Sequence, residues 1–198
     1  MPLTLDEIHE KVIPLLGKTI HSPVTRNKGA TGLLLETITG IPHTPNCLDC
    51  VDGELKTFPV KKLKGGAFVP KETLAVTMLC TDDLKNCSFQ DSRCHKKMER
   101  MLVVPYYREG DSIVYLKPTL LEKKDLPDMY SLLEADYNTI RTEYTTSNTL
   151  KSEKGTYLQT RTKGAGHGST SRAFYLRTGF LKKYIPIVMS PPSTSQSS

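Results

Sequence analysis

A chain of 198 residues, 37% hydrophobic and 24% charged, is long enough to bury one sizeable core. The formal charge of +6 favours a polyanionic partner, because its lysines and arginines recur along the chain and are not gathered in a tail. No apolar run approaches the roughly 20 residues of a membrane span, the first residues do not read as a signal peptide, and five cysteines suit reduced thiols better than a disulfide framework. The expectation is an intracellular protein that does not enter a membrane.

Thr4-Leu5-Asp6-Glu7 has capping-box spacing and precedes Ile8, Val12, Ile13, Leu15 and Leu16, which predicts a first helix ending near Gly17 and shortened or kinked at Pro14. A second helix is expected over Lys28 to Glu36, closed at Gly40, and its Leu33-Leu34-Leu35 run predicts that most of it is buried. Strands are expected at about 51–60 and 74–80, with Gly65-Gly66 as a turn between them. A short helix or turn from Cys94 to Glu99 feeds an apolar strand, Met101 to Val104, with Pro105 at its end. Glu109-Gly110-Asp111 then makes a hairpin into Ser112 to Leu116. Asp125 is placed to cap a long helix from Leu126 to about Tyr144, with Leu132, Leu133, Ala135, Tyr137 and Ile140 on its buried face. A strand at 157–161 leads into a Gly-rich loop, Lys163 to Gly168, and Ala173 to Leu176 and a closing segment to Ile187 complete the fold. The Pro/Ser-rich end is expected to be disordered.

The most informative stretch is Asp49-Cys50-Val51-Asp52-Gly53-Glu54-Leu55-Lys56. On a strand Glu54 and Lys56 share a face while Leu55 points away. A bend before them can bring Asp49 or Asp52 beside Glu54. Two carboxylates at one spot make a site for a hard divalent cation, Mg²⁺ being usual near phosphates. A lysine beside them can hold a water or steady charge on a phosphate oxygen. That equipment suits metal-assisted phosphodiester hydrolysis. The Gly-rich loop lacks the G-K-[ST] ending of a nucleotide-binding loop, so an NTPase is disfavoured. Flanked by Arg161, Lys163 and Arg172, the loop suits entry into a DNA groove.

Five blocks then occur in order: K-G-x-x-G-x-L-L-E from Lys28 to Glu36; D…G-E-L-K-T-x-P-V from Asp49 to Val60; K-x-x-R-x-L-x-x-P from Lys97 to Pro105; G-x-Y-L-Q-x-R-x-K from Gly155 to Lys163; and F-Y-L from Phe174 to Leu176. With these blocks the sequence resembles the MutH mismatch-repair endonucleases and their relatives, the type II restriction enzymes that cut at GATC. The resemblance runs from about Lys28 to Tyr184. It implies an α/β restriction-endonuclease-like fold, a mixed sheet flanked by helices with two arms around a DNA cleft. Residues 1–188 would form one endonuclease domain and 189–198 a disordered tail.

The resemblance also implies roles by position. Glu36 matches a helix glutamate near the metal site, Glu54 and Lys56 the E-x-K pair, and Lys97 a second active-site lysine. Asp49 is the choice for the family aspartate, a short deletion in the intervening turn explaining why its spacing to Glu54 is shorter here than in the family. Asp52, which shares strand parity with Glu54, is the reserve. Asp49, Glu54 and the Leu55 carbonyl would hold Mg²⁺, with Mn²⁺ able to substitute. Lys28, Arg161, Lys163, Gly164 and Tyr175 are the expected DNA contacts, Tyr175 lying near the adenine whose methylation is sensed. The implied partner is double-stranded DNA, bound by a monomer or weak homodimer that could dimerise on DNA.

Cutting both strands, as in restriction, is favoured over nicking in repair. The reading from another class is a non-catalytic DNA-binding module whose zinc is held by Cys47 and Cys50 with Cys80, Cys87, Cys94 and His95. His43, His95 and His167 are given no catalytic role.

Overall fold

In the computed structural model, residues 3–27, 29–42, 47–163 and 171–189 are described. The chain opens with α1 (Leu5–Val12), whose capping box is formed as expected between Thr4 and Glu7. Leu5, Ile8 and Val12 bury one stripe of it, and Pro14 turns the next residues into a single 3-10 turn, Ile13–Leu15. A short strand β1 (Thr19–His21) precedes α2 (Ala30–Thr39), which ends at Gly40. Next come β2 (Glu54–Lys62), β3 (Phe68–Pro70) and β4 (Leu74–Met78). Two six-residue helices, α3 (Thr81–Asn86) and α4 (Arg93–Met98), lead into β5 (Arg100–Glu109) and β6 (Ser112–Tyr115). Then follow β7 (Thr119–Glu122), the long α5 (Pro127–Ser147), β8 (Leu158–Thr162), β9 (Arg172–Leu176) and α6 (Thr178–Tyr184).

The fold is α/β with a mixed sheet, and the chain divides into two compact units. The first comprises residues 1–72, 101–120 and 185–198. It is built on a sheet with strand order β1-β6-β5-β2-β3, in which β2 and β5 run parallel and the other pairs on this path antiparallel. Its core gathers Leu5, Ile8 and Val12 of α1, Leu35 of α2, Leu55 of β2, and Leu102 and Val104 of β5. Each such side chain contributes about 2 kcal/mol by leaving water. Leu55 faces this core, so strand alternation turns Glu54 and Lys56 to the opposite face.

The second unit comprises residues 73–100 and 121–184 and has its own three-stranded antiparallel sheet, β4-β9-β8. Tyr137 of α5 stacks on Phe174 of β9 with ring centroids 5.7 Å apart. The start of β8 is fixed by one carboxylate. Asp136, 7% exposed on α5, accepts the backbone N–H groups of Thr156, Tyr157 and Leu158 at 2.7, 2.6 and 2.8 Å. Gly155 just before them has φ +80°, and a Cβ there would lie 1.9 Å from the Leu158 carbonyl oxygen, so only glycine fits this turn.

Several expectations are corrected. Only Thr31, Leu35 and Thr39 of α2 are buried, at i, i+4 spacing, and Leu33 is exposed, so one narrow face packs and not the whole helix. Leu132 of α5 is likewise exposed, and Leu126, with no side-chain cap, occupies the position expected for Asp125. β5 runs through Pro105, and β2 begins at Glu54, three residues later than expected. Among the described residues no helix is long and apolar enough to cross a membrane.

Candidate functional site

Residues 47–53 form an irregular turn that folds back on the start of β2. Cys50 N–H donates to the Gly53 carbonyl at 3.0 Å, and Val51 N–H to the Leu3 carbonyl at 3.1 Å. Within this turn the two aspartates part company. Asp52 accepts the N–H of Leu5, at the first turn of α1, at 2.7 Å. Asp49 instead turns to β2, where its Oδ2 accepts the Leu55 N–H at 3.2 Å and its own N–H donates to Glu54 Oε2 at 3.2 Å. Strand parity with Glu54, the ground for holding Asp52 in reserve, does not apply, because Asp52 precedes the strand.

Lys56 completes the cluster. Its Nζ donates to Glu54 Oε1 at 2.5 Å and stands 3.7 Å from Asp49 Oδ2. Glu54 has no exposed surface, while the Lys56 and Asp49 side chains are 20% and 25% exposed. A carboxylate withdrawn from water this far needs charge and hydrogen bonds around it, and Glu54 has both. Burial alone would lower the Lys56 pKa, but the charges of Glu54 and Asp49, the hydrogen bond to Glu54 and the further charge of Glu36 outweigh it. The ammonium is held above the usual lysine value. Lys56 is therefore a charged hydrogen-bond donor in this arrangement.

Glu36 also bears on this site, its charge helping to raise the Lys56 pKa. On α2, one turn before it, Gly32 lies against β2, where a Cβ would come 3.2 Å from Thr57 Oγ1 and 4.0 Å from Glu36 Oε1. The missing side chain lets the helix approach the strand and brings the Glu36 carboxylate into the potential at Lys56.

The cluster carries the negative charges of Asp49, Glu54 and Glu36 against the one positive charge of Lys56. The donor set is all hard oxygen, and the ammonium between two carboxylates already marks where positive charge is favourable. A third oxygen is available. A strand residue's N–H and C=O point to the same side; the Leu55 N–H is on the Asp49 side, so its carbonyl is too. Two carboxylates and a carbonyl fit a Mg²⁺-type ion, which keeps several waters and takes few protein ligands. Among the described residues no group of three or more His, Cys, Asp or Glu side chains is close enough to hold a metal by itself, the cysteines of the zinc reading included.

The remaining expected residues belong to the second unit or fall outside the described residues. Lys97 is on α4 and half-buried. Arg161 on β8 is exposed, donates to Thr73 Oγ1 at 3.3 Å, and has its guanidinium 6.0 Å from the centre of the Tyr175 ring on β9. Lys163, also exposed, ends the strand by donating its N–H to the Ser171 carbonyl. Lys28, His43, Gly164, the rest of the Gly-rich loop with His167, and the Pro/Ser-rich end lie outside the described residues. His95 is buried, with Nδ1 3.1 Å from the Gln90 carbonyl and Nε2 3.1 Å from Lys123 Nζ. Burial, and then the charge of Lys123, push its pKa down. Reading the sequence missed Gly32 and Asp136, whose roles depend on what packs against them.

The family model for MutH, described as DNA mismatch repair enzyme MutH, matches residues 45–147, just over half of the chain. The chain belongs to the MutH family. The matched span contains Asp49, Glu54, Lys56 and Lys97 and stops short of Arg161 and Tyr175. The type II restriction enzyme Sau3AI of Staphylococcus aureus is 24% identical over 212 residues, an alignment that takes in 92% of this chain. The chain spans only 43% of that enzyme's length. Among solved structures, the restriction endonuclease MvaI in complex with its cognate DNA substrate aligns over 93% of this chain and 96% of its own, with 12% identity and a TM-score of 0.47.

Proposed function

We propose that this chain is a divalent-metal-dependent DNA endonuclease, directed to GATC, that hydrolyses phosphodiester bonds to 5′-phosphate and 3′-hydroxyl ends. The observation that carries the proposal is the Lys56 ammonium bracketed by the Glu54 and Asp49 carboxylates on β2 of a MutH-family chain. Asp49, Glu54 and the Leu55 carbonyl would hold Mg²⁺ or Mn²⁺. When bound, such an ion supplies a more acidic water and offsets charge on the phosphate.

The protein's own groups do the rest. Lys56, kept protonated, donates to the attacking water or a phosphate oxygen and fixes its direction. Glu54, tied by both oxygens to Lys56 and the Asp49 N–H, cannot swing away and so holds the geometry of its neighbours. Glu36 adds negative potential that favours a cation over an empty site. Lys97 is assigned its supporting role, positive charge on the same oxygens, by the family resemblance. Arg161, Lys163 and Tyr175 are assigned to base recognition in the same way, with double-stranded DNA as the partner.

The test is digestion of supercoiled plasmid, with and without adenine methylation at GATC, in magnesium and in EDTA. Magnesium-dependent cutting at GATC is expected, and its absence from every plasmid sinks the proposal. Linear product appearing at once marks restriction, the favoured outcome. Open circles that accumulate first mark a strand-nicking repair enzyme, a reading supported by the description of the matching family.

A further inference from the structure

The second unit holds a pocket of about 420 Å³ whose polar lining is Lys151, Ser152, Glu153, Arg161, Thr162 and Arg172. Three of these are cations and one is a carboxylate. Glu143 stands 3.7 Å from the Lys151 ammonium, but it is shared with Lys154 at 3.9 Å and so only part of the excess is offset. Arg172 is the least committed of the three. One guanidinium nitrogen lies 3.5 Å from both the carbonyl and the hydroxyl of Thr160, the outer limit of a hydrogen bond, and its Nε, buried from solvent, has no partner among the described residues.

The walls are held in place. Arg177 donates to the carbonyls of Ser152 (2.7 Å) and Lys154 (3.1 Å), pinning the loop that carries Lys151. Asp136 pins the start of β8, which carries Arg161 and Thr162. Excess guanidinium charge with hydroxyl donors selects a tetrahedral oxyanion. Among the described residues no aromatic side chain lines the pocket, so none of them offers a face for a base to stack on.

From this we infer that the pocket binds a backbone phosphodiester of the DNA away from the bond being cut, with Arg172 as its main contact and Lys151 in support. The inference rests on the endonuclease reading and adds to it a residue outside the five sequence blocks. Such a contact sets affinity and register on the duplex and carries no sequence information.

The experiment is fluorescence-anisotropy titration of the full chain with a labelled GATC duplex and a scrambled duplex of equal length, in calcium to prevent cutting, across a salt series. Arg172→Gln is expected to lose affinity on the order of tenfold for both duplexes and to lower the salt slope by about 0.9. Lys151→Gln, on an exposed loop and safe for folding, is expected to lower the slope similarly with a smaller loss. Loss confined to the GATC duplex would make Arg172 a base reader and overturn the inference, as would wild-type affinity in both variants. Thermal stabilisation by inorganic phosphate that disappears in Arg172→Gln, with duplex affinity unchanged, would assign the pocket to a free anion and also overturn it. If the wild-type chain binds neither duplex, the endonuclease reading falls as well; if only the variants behave as wild type, that reading stands.

Discussion

In the first unit two carboxylates close on a single lysine at the start of β2, and in the second three cations line a pocket with a single carboxylate. Each imbalance is tolerable in a folded protein only at an edge that a counter-charge can reach. The comparison teaches that the chain separates its two electrostatic tasks. The cluster on β2 is short of positive charge, as suits a cation, and the pocket of the second unit is short of negative charge, as suits a phosphate. A surface that was merely basic would not need the first.

The largest effect that could break this comparison is at the cluster itself. Glu54→Gln and Lys56→Ala are each expected to lower cleavage by about a thousandfold or more, with duplex affinity in calcium nearly unchanged. Plasmid digestion beside anisotropy checks both halves. Lys56→Ala also leaves two carboxylates facing each other without their ammonium, at an expected cost of about 3 kcal/mol. Its melting temperature should rise on adding magnesium by more than that of the wild type. Equal rises would show that the carboxylates do not bind the ion.

A comparable loss of stability, with a different functional sign, is expected in the second unit. Asp136→Ala strands three backbone N–H groups and should cost about 3 kcal/mol in chemical denaturation. Duplex affinity should fall with it. Undiminished affinity in the folded variant would separate the β8 anchor from DNA binding.

The smallest effect separates the two aspartates. Asp52→Ala should cost about 1 kcal/mol, through the lost bond to the first turn of α1, and leave cleavage intact. Asp49→Ala should abolish cleavage. The reverse pattern would exchange their roles.

What could be read from the residues alone follows from the range of the interactions. The capping box of α1, the hairpin at Gly110 and the sharing of a face by Glu54 and Lys56 depend on neighbours within a few positions, and each was legible. β1, β3, β7 and α3 escaped notice, being three to six residues long and too short to show a period. The choice between Asp49 and Asp52 could not be made by alternation, because the turn that separates them is held by Leu3 and Leu5, almost fifty positions earlier. Asp136 was hidden for a similar reason: its partners are main-chain groups some twenty residues away, and such groups leave no mark on composition. The burial expected of α2 failed because three consecutive leucines cannot share one side of a helix.

The bare glycine at position 32 acts as a ruler between a helix and a strand. A single added methyl group would press on the Thr57 hydroxyl and lift α2 by a few tenths of an ångström. The carboxylate one turn along would travel with it, weakening its influence on the Lys56 ammonium. Electrostatic tuning of this kind is written in the spacing of two backbones, and an inventory of polar groups would overlook it.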